Sequence, residues 1–148
     1  MGKFIKGSEL NAQLERLFEE ATLDLVIISP FIKLHLRLVD ILKSKKLLSE
    51  LRIIIVFGKN QDNIVKSLNR EDFIFLKDFP NIEIRYEPRL HAKYYANEKV
   101  ALLSSMNLYD YSQNTNIEFG ILTKRSGFLS AGDDLDKHSF EYFNIAAN

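Results

Sequence analysis

Cysteine is absent from the 148-residue chain, which removes disulfides, thiolate nucleophiles and cysteine-based zinc sites together. That absence leaves the redox compartment open, and the cytoplasm is the default location. An excess of charge is missing too: twenty basic and twenty acidic residues cancel. Neutralised phosphates drive nucleic-acid binding, so this balance counts against a tight non-specific DNA binder. It does not count against an enzyme that needs only a local positive pocket. No run approaches the ~20 consecutive apolar residues of a membrane span. The first six residues have no long apolar core behind them and do not read as a secretory signal. Repeats, low-complexity tracts and internal linkers are also lacking.

What is present suits one globular domain over residues 1–148, with 46% hydrophobic and 27% charged residues. The polar, glycine-punctuated tail from Ser126 is consistent with a lead into a further segment of a longer parent. Phe140, Tyr142 and Phe143 within it suggest a short closing helix.

The first eighty residues alternate helix and strand signals. Leu10, Leu14, Leu17, Phe18 and Ala21 form a helical stripe, with Ser8 as the expected N-cap. Residues 25–28 read as a buried strand stopped by Ser29-Pro30. Leu34, Leu38, Ile41 and Leu42 restore helical spacing, with His35 inside that helix and Lys43, Lys45 and Lys46 at its solvated end. A second buried strand spans residues 51–57, and a third helix runs from Ile64, extended or restarted as far as Leu76. Such alternation builds a parallel sheet with helices against it. After Pro80 come an alternating strand over 82–86, runs over 90–95 and 100–103 joined as a hairpin at 96–99, and a strand over 117–122. Phe57-Gly58-Lys59-Asn60 lacks the spaced glycines of a phosphate loop and reads as a tight turn.

Chemistry concentrates in the hairpin. Residues two apart on a strand face the same side, so His91 projects with Lys93, and Ser105 with Asn107. Pairing of the two strands gathers an imidazole, an ammonium, a hydroxyl and an amide near one edge of the sheet. That set suits a phosphate: Lys93 supplies positive charge, Ser105 and Asn107 neutral hydrogen bonds, and His91 a nucleophile or acid. A His-x-Lys triplet alone is common, and a solvated strand edge would look the same. Tyr94, Tyr95, Tyr109 and Tyr111 are candidates for base stacking, packing or self-association.

The segment from His91-Ala92-Lys93 to Ser104-Ser105-Met106-Asn107 resembles the His-x-Lys…Asp…Gly-Ser-x-Asn signature of the phospholipase D superfamily. Glu118 stands where the nuclease branch of that family places a Glu, and Ser29-Pro30-Phe31-Ile32 is similar to a segment that ends the family's first strand. The resemblance runs from about residue 8 to 123. Two positions depart from it. Ser104 replaces the Gly, and the motif Asp has no direct match, with Asn97 or Glu98 in a hairpin one residue short.

The resemblance implies an α/β phospholipase D-like sandwich, a mixed, mostly parallel sheet flanked by helices with one motif per chain. It also implies a metal-independent phosphodiesterase without cofactor. His91 attacks phosphorus and becomes phosphohistidine, while a second His protonates the leaving oxygen and then activates water. Lys93 and Asn107 hold the non-bridging oxygens, Ser105 contacts substrate, and Glu118 orients and charge-stabilises an imidazole. His35 and His138 lie outside any such triplet and are expected to be structural or exposed. The second catalytic His must then come from another copy of the chain, in a homodimer. Small size, a single motif and the Asn107-to-Glu118 spacing favour a nuclease acting on DNA or RNA. A lipid phosphodiesterase is disfavoured by the lack of an amphipathic interfacial stretch. The altered Asp and Gly positions keep open a non-catalytic nucleic-acid-binding or dimerisation module.

Overall fold

The computed structural model describes residues 2–58, 63–112 and 115–125. One seven-stranded sheet organises them, in the order β1-β7-β6-β5-β2-β3-β4. These strands are β1 (Lys3–Lys6), β2 (Asp24–Ile28), β3 (Arg52–Phe57), β4 (Ile82–Tyr86), β5 (Tyr94–Asn97), β6 (Val100–Ser104) and β7 (Phe119–Lys124). The helices are α1 (Ser8–Glu20), α2 (Leu36–Lys43) and α3 (Arg70–Lys77), with 3-10 turns at Ile64–Lys66 and Leu108–Asp110.

The expected mixed α/β architecture is the one found, but the balance within the sheet differs. Only β2–β3 and β3–β4 are parallel; the other four ladders are antiparallel. Helix–strand alternation before Pro80 accounts for the parallel part, since parallel strands need a crossover between them. The short turn between β5 and β6 lets that pair form only antiparallel. β1, a four-residue edge strand with only Ile5 buried, was too short to read as a strand beforehand.

All three helices contribute their buried apolar residues to one core, on one side of the sheet. Leu10, Leu14, Leu17 and Phe18 of α1 meet Leu38 and Leu42 of α2, Leu76 of α3, and Leu25, Ile27, Ile53 and Ile55 of the sheet. The alternate residues Val26, Ile28, Ile54, Val56, Tyr94, Ala96 and Ala101 form a second buried cluster. β2 and β3 are thus buried on both faces, which explains their continuous apolar runs. Each fully buried Leu or Ile contributes ~1.5–3 kcal/mol. Among the described residues, no helix is long and apolar enough to cross a membrane.

Local details correct three expectations. The N-cap of α1 is Gly7 at φ 60°, not Ser8, and no side chain caps that end. His35 is the N-cap of α2 rather than part of it, its Nδ1 accepting from the Arg37 N–H at 3.1 Å. Lys45 is buried rather than solvated, and its Nζ donates to the carbonyls of Glu19 and Ala21 at 2.7 Å each. It therefore caps the C-terminal end of α1, a neighbouring helix. The suggested closing helix and His138, like Lys59 and Asn60, lie outside the described residues.

Candidate active site

Strand direction and register bring the chemical residues to one end of the sheet. Ile28 at the end of β2 lies opposite Tyr94 at the start of β5, and Tyr94 lies opposite Leu103 near the end of β6. Ser104 at the end of β6 faces Gly120 near the start of β7. The carboxyl ends of β2, β3, β4 and β6 therefore meet the amino ends of β5 and β7. Crevices outside strand carboxyl ends are where open α/β sheets bind ligands.

His91 and Lys93 do not lie within a strand, as had been expected. β5 begins only at Tyr94, so both occupy the extended approach to it, His91 exposed and Lys93 half-buried. Pairing continues one step past the strand, the Lys93 carbonyl accepting from the Ser104 N–H at 3.2 Å. β6 stops at Ser104, which leaves Ser105 and Asn107 in the turn beyond it. Ser105 and Glu118 are brought together: the Ser105 hydroxyl donates to Glu118 Oε2 at 3.1 Å and accepts from the Phe119 N–H at 3.0 Å. Asn107 Oδ1 is buried and has no hydrogen-bond partner among the described residues, and its Nδ2 stands 3.5 Å from Asp110 Oδ2. Ser104, at the motif's glycine position, turns its hydroxyl onto backbone. It donates to the Phe119 carbonyl and accepts from the Met106 N–H, both at 2.9 Å.

The turn that delivers His91 is set by Gly58. The Glu87 N–H donates to the Phe57 carbonyl at 2.8 Å, and the Leu90 N–H to the Glu87 carbonyl at 3.1 Å. A Cβ on Gly58 would stand 1.8 Å from the Glu87 carbonyl oxygen, so only glycine allows this approach.

Several residues support the Asn107 turn through tertiary contacts that spacing alone did not reveal. The Ser29 hydroxyl donates to the Phe31 carbonyl at 2.8 Å and accepts from the Leu108 N–H at 3.1 Å. The Tyr95 hydroxyl donates to the Met106 carbonyl at 2.7 Å, and burial raises its pKa well above the usual phenol value. Together they tie the Asn107 turn to the end of β2. Three of the four tyrosines are packing residues: Tyr94, Tyr95 and Tyr111 are at most 4% exposed, while Tyr109 is 43% exposed. His35 packs edge-on against Tyr111, away from any Lys two residues on, as a structural residue does.

At the opposite end of the hairpin, Asn97 and Glu98 tie its turn to neighbouring elements. Asn97 is fully buried; its Nδ2 donates to the Leu17 carbonyl at 2.9 Å, and its Oδ1 accepts from the N–H groups of Lys99 and Val100. The Glu98 carboxylate accepts from the Thr22, Leu23 and Asp24 N–H groups and from the Thr22 hydroxyl. Partial burial alone would raise the pKa of Glu98. The N–H groups of Glu98, Leu23 and Asp24 and the Thr22 hydroxyl outweigh it and hold it at about 2.

No family model and no curated protein matches the chain in sequence. Solved structures do match. Nuc from Salmonella typhimurium, a phospholipase D family member, superposes with a TM-score of 0.67 at 11% identity, over 99% of this chain and 93% of its own. The chain has the phospholipase D fold. NucT from Helicobacter pylori gives 0.58 at 12% identity, over 99% and 92%. TrmBL2, an archaeal chromatin protein whose structure shows a novel mode of DNA binding, gives 0.61 at 14% over 97% of this chain and 51% of its own. The hydrogen-bonded Asn97–Glu98 turn and the segments bearing His91 and Asn107 lie at opposite ends of the hairpin.

Proposed function

We propose that the protein is a metal-independent phosphodiesterase, a nuclease that hydrolyses DNA or RNA through a phosphohistidine intermediate in a homodimer. One observation carries this reading: on a phospholipase D fold, the register of β5, β6 and β7 sets the segments bearing His91 and Lys93, Ser105 and Asn107, and Glu118 at the same end of the sheet. An imidazole nitrogen of His91 attacks phosphorus as the bond to the leaving oxygen breaks. That oxygen takes a proton from His91 of a second copy. The same imidazole, now neutral, removes a proton from water as the water oxygen displaces His91 from phosphorus. Lys93 and Asn107 Nδ2 stabilise the non-bridging oxygens. Ser105 fixes Glu118, whose carboxylate favours the imidazolium state of a nearby His.

A second copy supplies the other His91, since the remaining histidine among the described residues, His35, caps α2. Phe4, Ile117 and Phe119 are exposed beside Glu118, with the Phe4 and Phe119 rings stacked at 5.7 Å, and supply apolar surface for such a contact. A binding module is the second reading, favoured by the likeness to the DNA-binding TrmBL2. Hydrolysis of bis(p-nitrophenyl) phosphate and of oligonucleotides in EDTA separates the two. The nuclease reading expects turnover of both, reduced at least about a thousandfold in His91→Ala. Oligonucleotide binding without turnover supports the module instead.

A further inference from the structure

Beside Asn107 the structure opens a cavity of about 650 Å³ between three segments: the one after β2, the 3-10 turn at Ile64–Lys66 with the residues that follow it, and the turn after β6. Its walls are bonded together. The Tyr109 N–H donates to the Phe31 carbonyl at 3.2 Å, and the Ile32 N–H to the Ser67 carbonyl at 2.8 Å. The cavity is thus preformed and within the size range of small-ligand sites. Lys33 and Lys66 reach it from two sides, and Tyr109 presents the exposed aromatic ring. Lys33 Nζ rests 5.6 Å from the centre of that ring. Asp110 also lines the cavity, its carboxylate beside Asn107 Nδ2, so the lysines leave a local positive balance of one.

We infer that this cavity seats the nucleotide next to the phosphodiester that His91 attacks, with its base on Tyr109 and its backbone phosphate between Lys33 and Lys66. The inference deepens the nuclease reading and rests on it for the position of the scissile bond. An aromatic ring flanked by cations is how single strands are held without sequence preference, because every base has a π-face and every nucleotide a phosphate. Lys33 leaves the ring for the phosphate as the base arrives, a swing its flexible stem allows. Asn107 joins the two sites, since it lines the cavity and also belongs to the motif. A base standing in this cavity is out of its duplex stack, so single strands are preferred over double. An acyl chain would instead meet two ammonium groups and a carboxylate.

Fluorescence anisotropy of a labelled oligothymidylate tests this without needing turnover. Tyr109→Ala is expected to weaken binding about tenfold. The double variant Lys33→Ala/Lys66→Ala is expected to weaken it further and to lower the slope of log affinity against log salt by about 0.7. Unaltered far-UV circular dichroism shows that the variants fold. Affinities within twofold of wild type in both variants overturn the inference. So does a loss confined to phosphatidylcholine micelles in a parallel binding assay, which makes the occupant a lipid. Bis(p-nitrophenyl) phosphate in EDTA separates the two claims. Turnover of the ester with unchanged oligonucleotide affinity removes the cavity's role and leaves the phosphodiesterase. Weakened affinity with an inert ester leaves a nucleotide-binding cavity without the phosphodiesterase.

Discussion

The β5–β6 hairpin has two ends of different character. At its turn, Asn97 uses both ends of its amide and Glu98 accepts from four donors on the segment after α1. At its open end, Asn107 Oδ1 is buried with no hydrogen-bond partner among the described residues, and His91 is exposed. Buried polar groups are ordinarily paired, so an exception such as Asn107 Oδ1 calls for an explanation. The closed network fixes where the hairpin sits against α1 and β2. The rigid strands carry that placement to the far end, where His91, Lys93 and Asn107 lie.

Substitutions at the two ends sharpen or break this contrast. Asn97→Ala has the largest expected effect on stability, about 3 kcal/mol, because it strands a buried carbonyl and two N–H groups. Urea unfolding measures it; a loss under about 1 kcal/mol would show that the turn is not the anchor. Gly58→Ala is expected to cost about 2 kcal/mol, as overpacking against backbone does. It acts at the open end, so phosphodiesterase turnover should fall by more than its melting temperature would suggest. Equal turnover would free the residue 87–90 turn from any part in placing His91. Tyr95→Phe removes one buried hydrogen bond and leaves the Met106 carbonyl without it, for about 1 kcal/mol. Its effect should appear as a lower kcat with little change in KM, because Asn107 is positioned through that carbonyl.

Glu98→Gln, whose amide oxygen can still accept, is read by pH. The folded-state pKa of Glu98, about 2, lies below its ordinary 4.5. Its ionised form therefore stabilises the protein above about pH 4.5, and that contribution is lost as pH falls towards 2. Melting temperatures across this window should fall more steeply for wild type than for Glu98→Gln. Parallel acid limbs would contradict the scaffolding role.

Much of this was legible in the sequence. Helical stripes and β-branched runs located the three helices and six of the seven strands among the described residues, because burial imposes their periodicity. The candidate residues were legible through spacing, since a tight hairpin returns Ser105 and Asn107 to the level of His91 and Lys93. What was not legible depended on tertiary contact. Lys45 looked solvated beside Lys43 and Lys46, and nothing local said that it would cap a different helix. Ser29 and Tyr95 stabilise the Asn107 turn through hydrogen bonds spanning 79 and 11 residues of sequence. The four tyrosines were equivalent as letters, and only burial distinguished Tyr109.

The central claim is a covalent bond between His91 and phosphorus. Rapid-quench mass spectrometry under neutral or alkaline conditions, with substrate turning over in EDTA, observes it directly. A phosphoryl or nucleotidyl adduct on the peptide containing His91, formed and consumed within a turnover and absent from His91→Ala, is the predicted result. Turnover that proceeds with no adduct, or only after a divalent metal is supplied, would contradict the account.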